Sequence, residues 1–542
     1  MSSHPISIST LSPIHIGCGE VYEPSNFVIA EGLLHALDPA DLAAELSETE
    51  RKQLVALAEG GEPIGALQRF FRDHTERFSA LSRHQVALAE VVVREYEKKA
   101  GKATQRGPSG DASYNDFHIL RTAYRPFDNT PYLPGSSLKG SIRTAWLNQC
   151  NDGKPLTSDE LRNKRGAPRR LQERLLDYAD GKFENDPFRH IGLADAHPEE
   201  DSTPPTRVLY AISKKKRQPR EGENGSPELK VFLETVPDAL PAAFLSELRL
   251  DEQKLTGKIG WKALCDACNN FYKPQLEAEL NHSVLSRVLD AEWKLLLIGL
   301  LSNELCDLVA ARQGFLLRVG RHSGAESLTL DGVRSIKILG KTGEPPTDRP
   351  NTTQKRFASL TKAGVDGLLP FGWIWVAACD DAHRHIFDAV RQKLAARSSA
   401  FRQSHQDRLL RLEEKQRQRE AAAAAAEKRK EAAEAADRAE ANAKAAREAV
   451  IAAMSPNLRR IEEFKAAFAA RAEQLRGGRE KLHGVYHGRA RDLARDALQG
   501  SGWTPEEKLA AADAIAEWLP RVVENVDKDQ LKKLKLSALR GP

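Results

Sequence analysis

The sequence predicts an α+β fold followed by an all-α extension, and three observations carry that prediction. Strand-like apolar runs alternate with helical stretches as far as about residue 378. Hydrophobic residues make up 41% of the 542, enough to build real cores. Residues 400–453 contain neither Gly nor Pro, and 16 alanines fall within 421–450, the composition of a long solvated helix.

In chain order, residues 1–37 read as strands around a glycine-rich turn at Gly17-Cys18-Gly19. Residues 38–100 read as helix, with Asp38 and Ser47 as N-caps. Residues 101–130 mix Gly, Pro, Ser and Asn and read as loop, and a helix follows from near Ser136. TRVLYAIS and ELKVFLETV, within 206–236, predict a β-hairpin with a basic connection. Residues 240–313 return to helix. Gly314 to Val319 and Leu369 to Val376 are further strands. The helix over 400–453 has balanced charges and lacks the Leu or Ile heptads of a strong coiled coil. Amphipathic helices follow over 457–536, broken at Pro456 and Gly477-Gly478. These textures divide the chain into 1–200 with a helical insertion at 38–100, 201–380 with a helical insertion at 240–313, and a helical extension at 381–542.

Composition limits the function classes. Lys+Arg less Asp+Glu is 81 − 76 = +5, so a nucleic-acid partner requires clustered charge rather than a global excess. No stretch reaches the ~18 apolar residues of a membrane helix. Six cysteines are too few for a disulfide framework, and MSSHPISIST lacks the form of a secretory leader, so a cytoplasmic setting is expected.

Three segments carry candidate chemistry. In Leu133-Pro134-Gly135-Ser136-Ser137-Leu138-Lys139-Gly140-Ser141-Ile142-Arg143, Leu138, Ile142 and Trp146 share one helical face, and Lys139 and Arg143 a neighbouring one. Serine hydroxyls, two cations and a helix N-terminus suit a phosphate, and an ordinary capped helix fits the same residues. Ser141 stands where a Walker A motif needs Lys, which excludes that motif. The loop Gly320, Arg321, His322, Ser323 and Gly324 follows a strand; its glycines admit a close ligand or a plain turn. Lys214, Lys215, Lys216 and Arg217 open the hairpin connection, as a solvated charge run or a polyanion clamp. Cys265-x-x-Cys268 has no second pair for zinc, and no metal or cofactor is expected. His15 and His322 are acid–base candidates without an evident partner.

Taken in order, Ser12-Pro13-Ile14-His15-Ile16-Gly17-Cys18-Gly19, the segment 133–143, Asp186-Pro187-Phe188 with Leu193 and Asp195, and Gly320-Arg321-His322-Ser323-Gly324-Ala325-Glu326 resemble the RAMP superfamily of CRISPR-associated RNA-binding proteins. The last loop is most similar to the family of fifth subunits of the type III-A Csm effector. The resemblance covers about residues 5–378 and implies two ferredoxin-like (RRM-like) domains with helical insertions. It implies a non-catalytic subunit that binds the 3′ part of the crRNA, caps the filament of RAMP backbone subunits and recruits a host nuclease. Ser136, Ser137, Lys139, Gly140 and Arg143 would face the RNA, with residues 320–324 on the same surface, and the 214–217 cations would lie along the guide–target duplex. The aromatic motifs of a true RRM are absent, so stacking of bases on the sheet is not implied. Three rival readings have separate markers. A crRNA-processing endoribonuclease would use His15 or His322, and a target-cleaving backbone subunit would use Asp38. An interaction protein would work through its long helix. Residues 381–542 lie outside the resemblance.

Overall fold

A computed structural model of the chain describes residues 2–59, 64–100, 103–106, 112–114, 117–162, 166–178, 182–199, 202–218, 231–255, 258–339, 343–378 and 381–541. It is mixed α+β with a helical C-terminal extension, and it divides into two compact units, residues 1–416 and 417–542.

Two main sheets organise the first unit, and their strands interleave along the chain. One is five-stranded and antiparallel throughout. Its order is Gly314–Arg318, Trp373–Ala378, Ser2–Thr10, Phe244–Leu250, Ile191–Leu193. The strand Ser2–Thr10 is therefore central, and Ile6 and Ile8 are buried within it. The other sheet is nine-stranded and centres on Arg207–Lys215. That strand pairs antiparallel with Val231–Thr235 on one edge; on the other it meets His84–Leu88 in parallel and then Gln354–Ser359 antiparallel. The expected hairpin is thus present, its tip over 219–230 lying outside the described residues.

Helices Gly135–Asn151 and Trp261–Leu280 pack together and against the strand Gly314–Arg318. Ser141 locks this layer: its Oγ donates to the Arg318 carbonyl at 3.0 Å, and Tyr272 Oη donates to the Ser141 carbonyl at 3.0 Å. The indole of buried Trp293 donates to the Leu11 carbonyl at 2.6 Å. Cys265 and Cys268 are both buried core thiols of helix Trp261–Leu280.

Several local expectations change. Gly17-Cys18-Gly19 lies inside the strand Gly17–Tyr22, because it pairs with Ile119–Thr122, itself a strand within the stretch read as loop. Among the described residues, the helical reading of 38–100 holds for five helices but is interrupted by the strand His84–Leu88, recruited by two sheet neighbours. Phe244–Leu250 is likewise a strand rather than helix. Asp38 and Ser47 do cap: Asp38 accepts from the Ala40 and Asp41 amides, and Ser47 from Glu50.

The long helix runs from Arg384 to Ala453. Its first half belongs to the first unit. Val390, Leu394 and Ser398 are buried, and Arg397 meets Asp238, Asp290 and Glu292 at 3.4, 3.0 and 3.1 Å. Arg408 donates to the carbonyls of Gly32 and Leu88 at 3.0 and 3.3 Å.

The second unit has its own apolar core, including Ile461, Phe464, Phe468, Leu493, Ile515 and Leu519. Among the described residues, its helices are the rest of the long helix, then Pro456–Leu475, Val485–Gln499, Pro505–Val522 and two shorter ones. Thr504 and Glu507 form a capping box at helix Pro505–Val522. Among the described residues, no helix of either unit is long and apolar enough to cross a membrane.

Candidate nucleic-acid interface

The four motif segments converge in space. Gly135 opens its helix so close to the chain at 193–194 that a Cβ there would lie 2.3 Å from the Leu193 carbonyl oxygen. Its amide donates to Asp195 Oδ1 at 2.7 Å, so a distant carboxylate supplies the cap expected of Ser136 or Ser137. Ser136 is left exposed and Ser137 half-buried. Leu138, Ile142 and Ala145 face the core. On the neighbouring face, a Cβ at Gly140 would meet open space.

The two cations of this helix differ. Arg143 forms a forked pair with Asp186, at 3.1 and 2.8 Å, lies over the Phe188 ring at 5.0 Å and bonds Gln172. It is a joint between the helix and the Asp186-Pro187-Phe188 segment. Lys139 is half-buried; burial lowers its ammonium pKa, Asp186 draws it back up, and Arg143 lowers it. Among the described residues, no carboxylate lies within ion-pair distance of Lys139, so its charge is left to face solvent or a ligand.

The loop 320–324 packs on the Ser12–Gly17 stretch. Gly320 has φ +76°, and a Cβ on it would fall 2.4 Å from the His15 carbonyl oxygen. That same oxygen accepts from the Arg321 amide at 2.8 Å. His322 lies with its ring 5.3 Å from that of Phe371. Burial, then Arg356, Arg321 and His15, pull the His322 imidazole down to about 3. Burial also lowers His15, against a bond from its Nδ1 to the Glu234 carbonyl at 2.7 Å. A carbonyl can only accept, so His15 Nδ1 carries the hydrogen and Nε2 is a bare acceptor. Among the described residues, His15 Nε2, His322 Nε2 and Ser323 Oγ are buried without a partner, while Arg321 is exposed.

The hairpin cations meet this loop. Lys216 pairs with Glu326 at 2.6 Å, and Thr352 donates to the same carboxylate oxygen. Burial pushes the Glu326 carboxyl up, but Lys216 and Thr352 outweigh it and hold it at about 2. Lys214 and Lys215 lie opposite Lys355 and Gln354 in the sheet, and Arg217 follows Lys216 on the surface. The structure therefore joins Lys216 to the 320–326 segment and joins that segment to His15.

Beneath the loop lies a buried network that the sequence did not indicate. Glu279 accepts from Arg318 Nη1 at 2.5 Å, from Lys355 Nζ and from Trp373 Nε1 at 2.8 Å. Arg318 also donates to the Phe371 carbonyl at 3.0 Å. Burial lowers the pKa of both Arg318 and Lys355. A second buried carboxylate, Glu234, accepts from Thr206, Tyr22 and the Thr122 amide. No spacing in the sequence marks either carboxylate, since their partners lie far off along the chain.

The depressed His322 pKa makes stability depend on pH. The unfolded imidazole takes up a proton near pH 6.5, the folded one only near pH 3. The unfolded chain thus binds more protons between these values, and stability is lost as pH falls through them. The urea midpoint is expected to drop between pH 7 and 5, and His322→Gln to remove part of that drop. An equal drop in the variant would show that His322 is not its source.

Known proteins resemble this chain over parts of its length. Residues 7–274 match the profile of the RAMP superfamily. A stretch of 146 residues is 27% identical to the CRISPR system Cms protein Csm5 of Methanocaldococcus jannaschii, covering 26% of this chain and 30% of that protein. A stretch of 145 residues is 30% identical to the protein of the same name from Streptococcus thermophilus, covering 26% and 37%. The aligned part thus spans about a third of the length of each relative. Among solved structures, a chain of a type III-A Csm–crRNA–target RNA ternary complex gives a TM-score of 0.43 at 17% identity, over 70% of this chain and 100% of that one. The crystal structure of T. onnurineus Csm5 gives 0.38 at 16%, over 68% and 99%.

Proposed function

Since this chain belongs to the RAMP superfamily, we propose that it is a non-catalytic, RNA-binding subunit of a type III-A Csm effector. In this reading it binds the 3′ part of the crRNA and caps the filament of backbone subunits. The observation that carries it is the convergence of the four motif segments: Gly135 on Asp195, Arg143 on Asp186, Ser141 on Arg318, and Arg321 on His15. The two sheets would be the two ferredoxin-like units, with Lys139, Ser136, Gly140 and Arg321 presented to phosphates. Such contacts position a strand without reading its sequence, as a subunit carrying any spacer requires. Burial lowers the imidazole pKa of both His15 and His322, so neither is poised as a general acid.

Co-expression with its neighbouring genes, followed by sequencing of the RNA retained on this subunit, tests the reading. Discrete small RNAs with a shared repeat-derived tag, and one copy of the chain per complex, are expected. Random fragments or no RNA would overturn it. Lys139→Glu is expected to lower retained RNA several-fold at an unchanged unfolding midpoint. Arg143→Glu is expected to cost about 1–3 kcal/mol of stability, because it sets two carboxylates together at Asp186. Unchanged RNA in the Lys139 variant would remove that residue from the interface.

A further inference from the structure

The second unit carries a concentration of charge that a role for the first unit leaves unused. Over residues 471–491 there are six Lys/Arg and two Asp/Glu, giving 6 − 2 = +4, against +5 for the whole chain. One of the six is spent, Arg471 on Glu480 at 2.7 Å. The other five are Arg476, Arg479, Lys481, Arg489 and Arg491. All are exposed, and among the described residues no carboxylate lies within ion-pair distance of any of them. Elsewhere the same unit does pair cations with acids: Arg460 with Asp496, Arg495 with Asp492, Arg521 with Glu517 and Arg540 with Asp513.

The five cations lie within residues 476–491, on one loop and the helix turns that follow it. Arg476 and Gly477 take positive φ, 45° and 92°, and turn the chain out of helix Pro456–Leu475. The loop is held down where the Glu480 amide donates to the Val522 carbonyl at 2.7 Å. It leads directly into helix Val485–Gln499. There Tyr486 receives Arg489 and Arg471 over its ring at 5.1 and 5.8 Å, and His483 meets His487 at 5.0 Å. Gly477 and Gly488 leave the backbone open, since a Cβ on either would meet nothing within 4 Å.

We propose that the loop 476–484 and the first turns of helix Val485–Gln499 form a binding surface for the phosphodiester backbone of a nucleic-acid strand. Guanidinium groups dominate the patch, and they suit phosphate geometry. A histidine and a tyrosine are interleaved with them, and open glycines permit close approach. A lipid surface fits less well. The apolar side chains of this helix, Ala490, Leu493, Ala494 and Ala497, are buried in the bundle, leaving Val485 as an isolated exposed apolar residue. A folded acidic protein fits less well for the same reason, since no apolar anchor accompanies the charge. This surface is independent of the role proposed for the first unit.

The test uses the full chain, with a mixed-sequence single-stranded RNA of about twenty nucleotides and its DNA counterpart as probes. Ultraviolet cross-linking with peptide mapping is expected to label peptides from 476–491 with either strand, or with RNA alone if the 2′-hydroxyl contributes. Replacing the five cations by alanine should abolish that labelling. It should also reduce the slope of log K against log[salt] by about 2, since each of about three phosphates no longer neutralised on a single strand removes ~0.7. Arg→Lys replacements at 476, 479, 489 and 491 should retain both. Labels within 135–143 or 320–324 report the first unit's interface separately, so either surface can fail alone. No label from 476–491, an unchanged slope, or binding only to phosphatidylserine vesicles would overturn the proposal.

Discussion

Glu279→Ala is expected to destabilise the first unit by about 3–5 kcal/mol, the usual cost of leaving buried charge without its partner. Two cations converge on this one carboxylate, and both lie in the interior: the side chains of Arg318 and Lys355 are 1% and 10% exposed. Removing the carboxylate also leaves the Trp373 indole N–H without an acceptor. Glu279→Gln should recover part of the loss, because the amide oxygen still accepts, though without charge. Urea unfolding of the three proteins gives the order wild type, Gln, Ala. The effect should reach the proposed interface as well, since Arg318 ends the strand that leads into the 320–324 loop and its carbonyl holds Ser141. Equal midpoints for wild type and Ala would mean that the network contributes nothing net.

Gly320→Ala is the second large effect. The added methyl would stand 2.4 Å from the His15 carbonyl oxygen, at a backbone angle that non-glycine residues adopt at a cost of roughly 1 kcal/mol. The methyl meets backbone, not the end of a flexible side chain, so either the loop or the strand entry must move. Moving the loop breaks the Arg321 amide bond to His15 and withdraws Arg321 and His322 together. The expected loss is about 2–4 kcal/mol, from overpacking added to the backbone strain. A fall of ten-fold or more in retained RNA should accompany it. Gly299→Ala is the matched comparison, because open space surrounds that position and it lies outside the proposed interface. Full RNA retention and stability in Gly320→Ala would show that the strand entry relaxes around the methyl without consequence.

What could be read from the sequence was what local chemistry decides. The helix from Pro134-Gly135, the hairpin around a basic connection and the long Ala-rich helix each follow from turn residues, apolar spacing or propensity. His84–Leu88 and Phe244–Leu250 did not. Each is a short run inside a stretch read as helix, and only a sheet neighbour distant in sequence makes it a strand. The candidate interface shows the same division. Lys139 and Arg143 looked equivalent at i and i+4, and only the fold shows that Asp186 claims one of them. Glu279 was invisible because a glutamate on a helix is normally solvated, and nothing local places Arg318 and Lys355 around it.

The central position of strand Ser2–Thr10 has a consequence for biosynthesis. One of its edges is completed by Phe244–Leu250, the other only by Trp373–Ala378. At roughly 5–20 residues per second, the ribosome needs about 20–70 s to travel from the first strand to the last. For that interval the strand, with Ile6 and Ile8 uncovered, waits with an unpaired edge, able to join another chain emerging nearby. Residues 417–542 are translated after the sheet can close, which gives the first unit time to finish folding while still tethered to the ribosome. Its yield in a cell should therefore depend on chaperones that shield nascent chains, and on how densely ribosomes load the message.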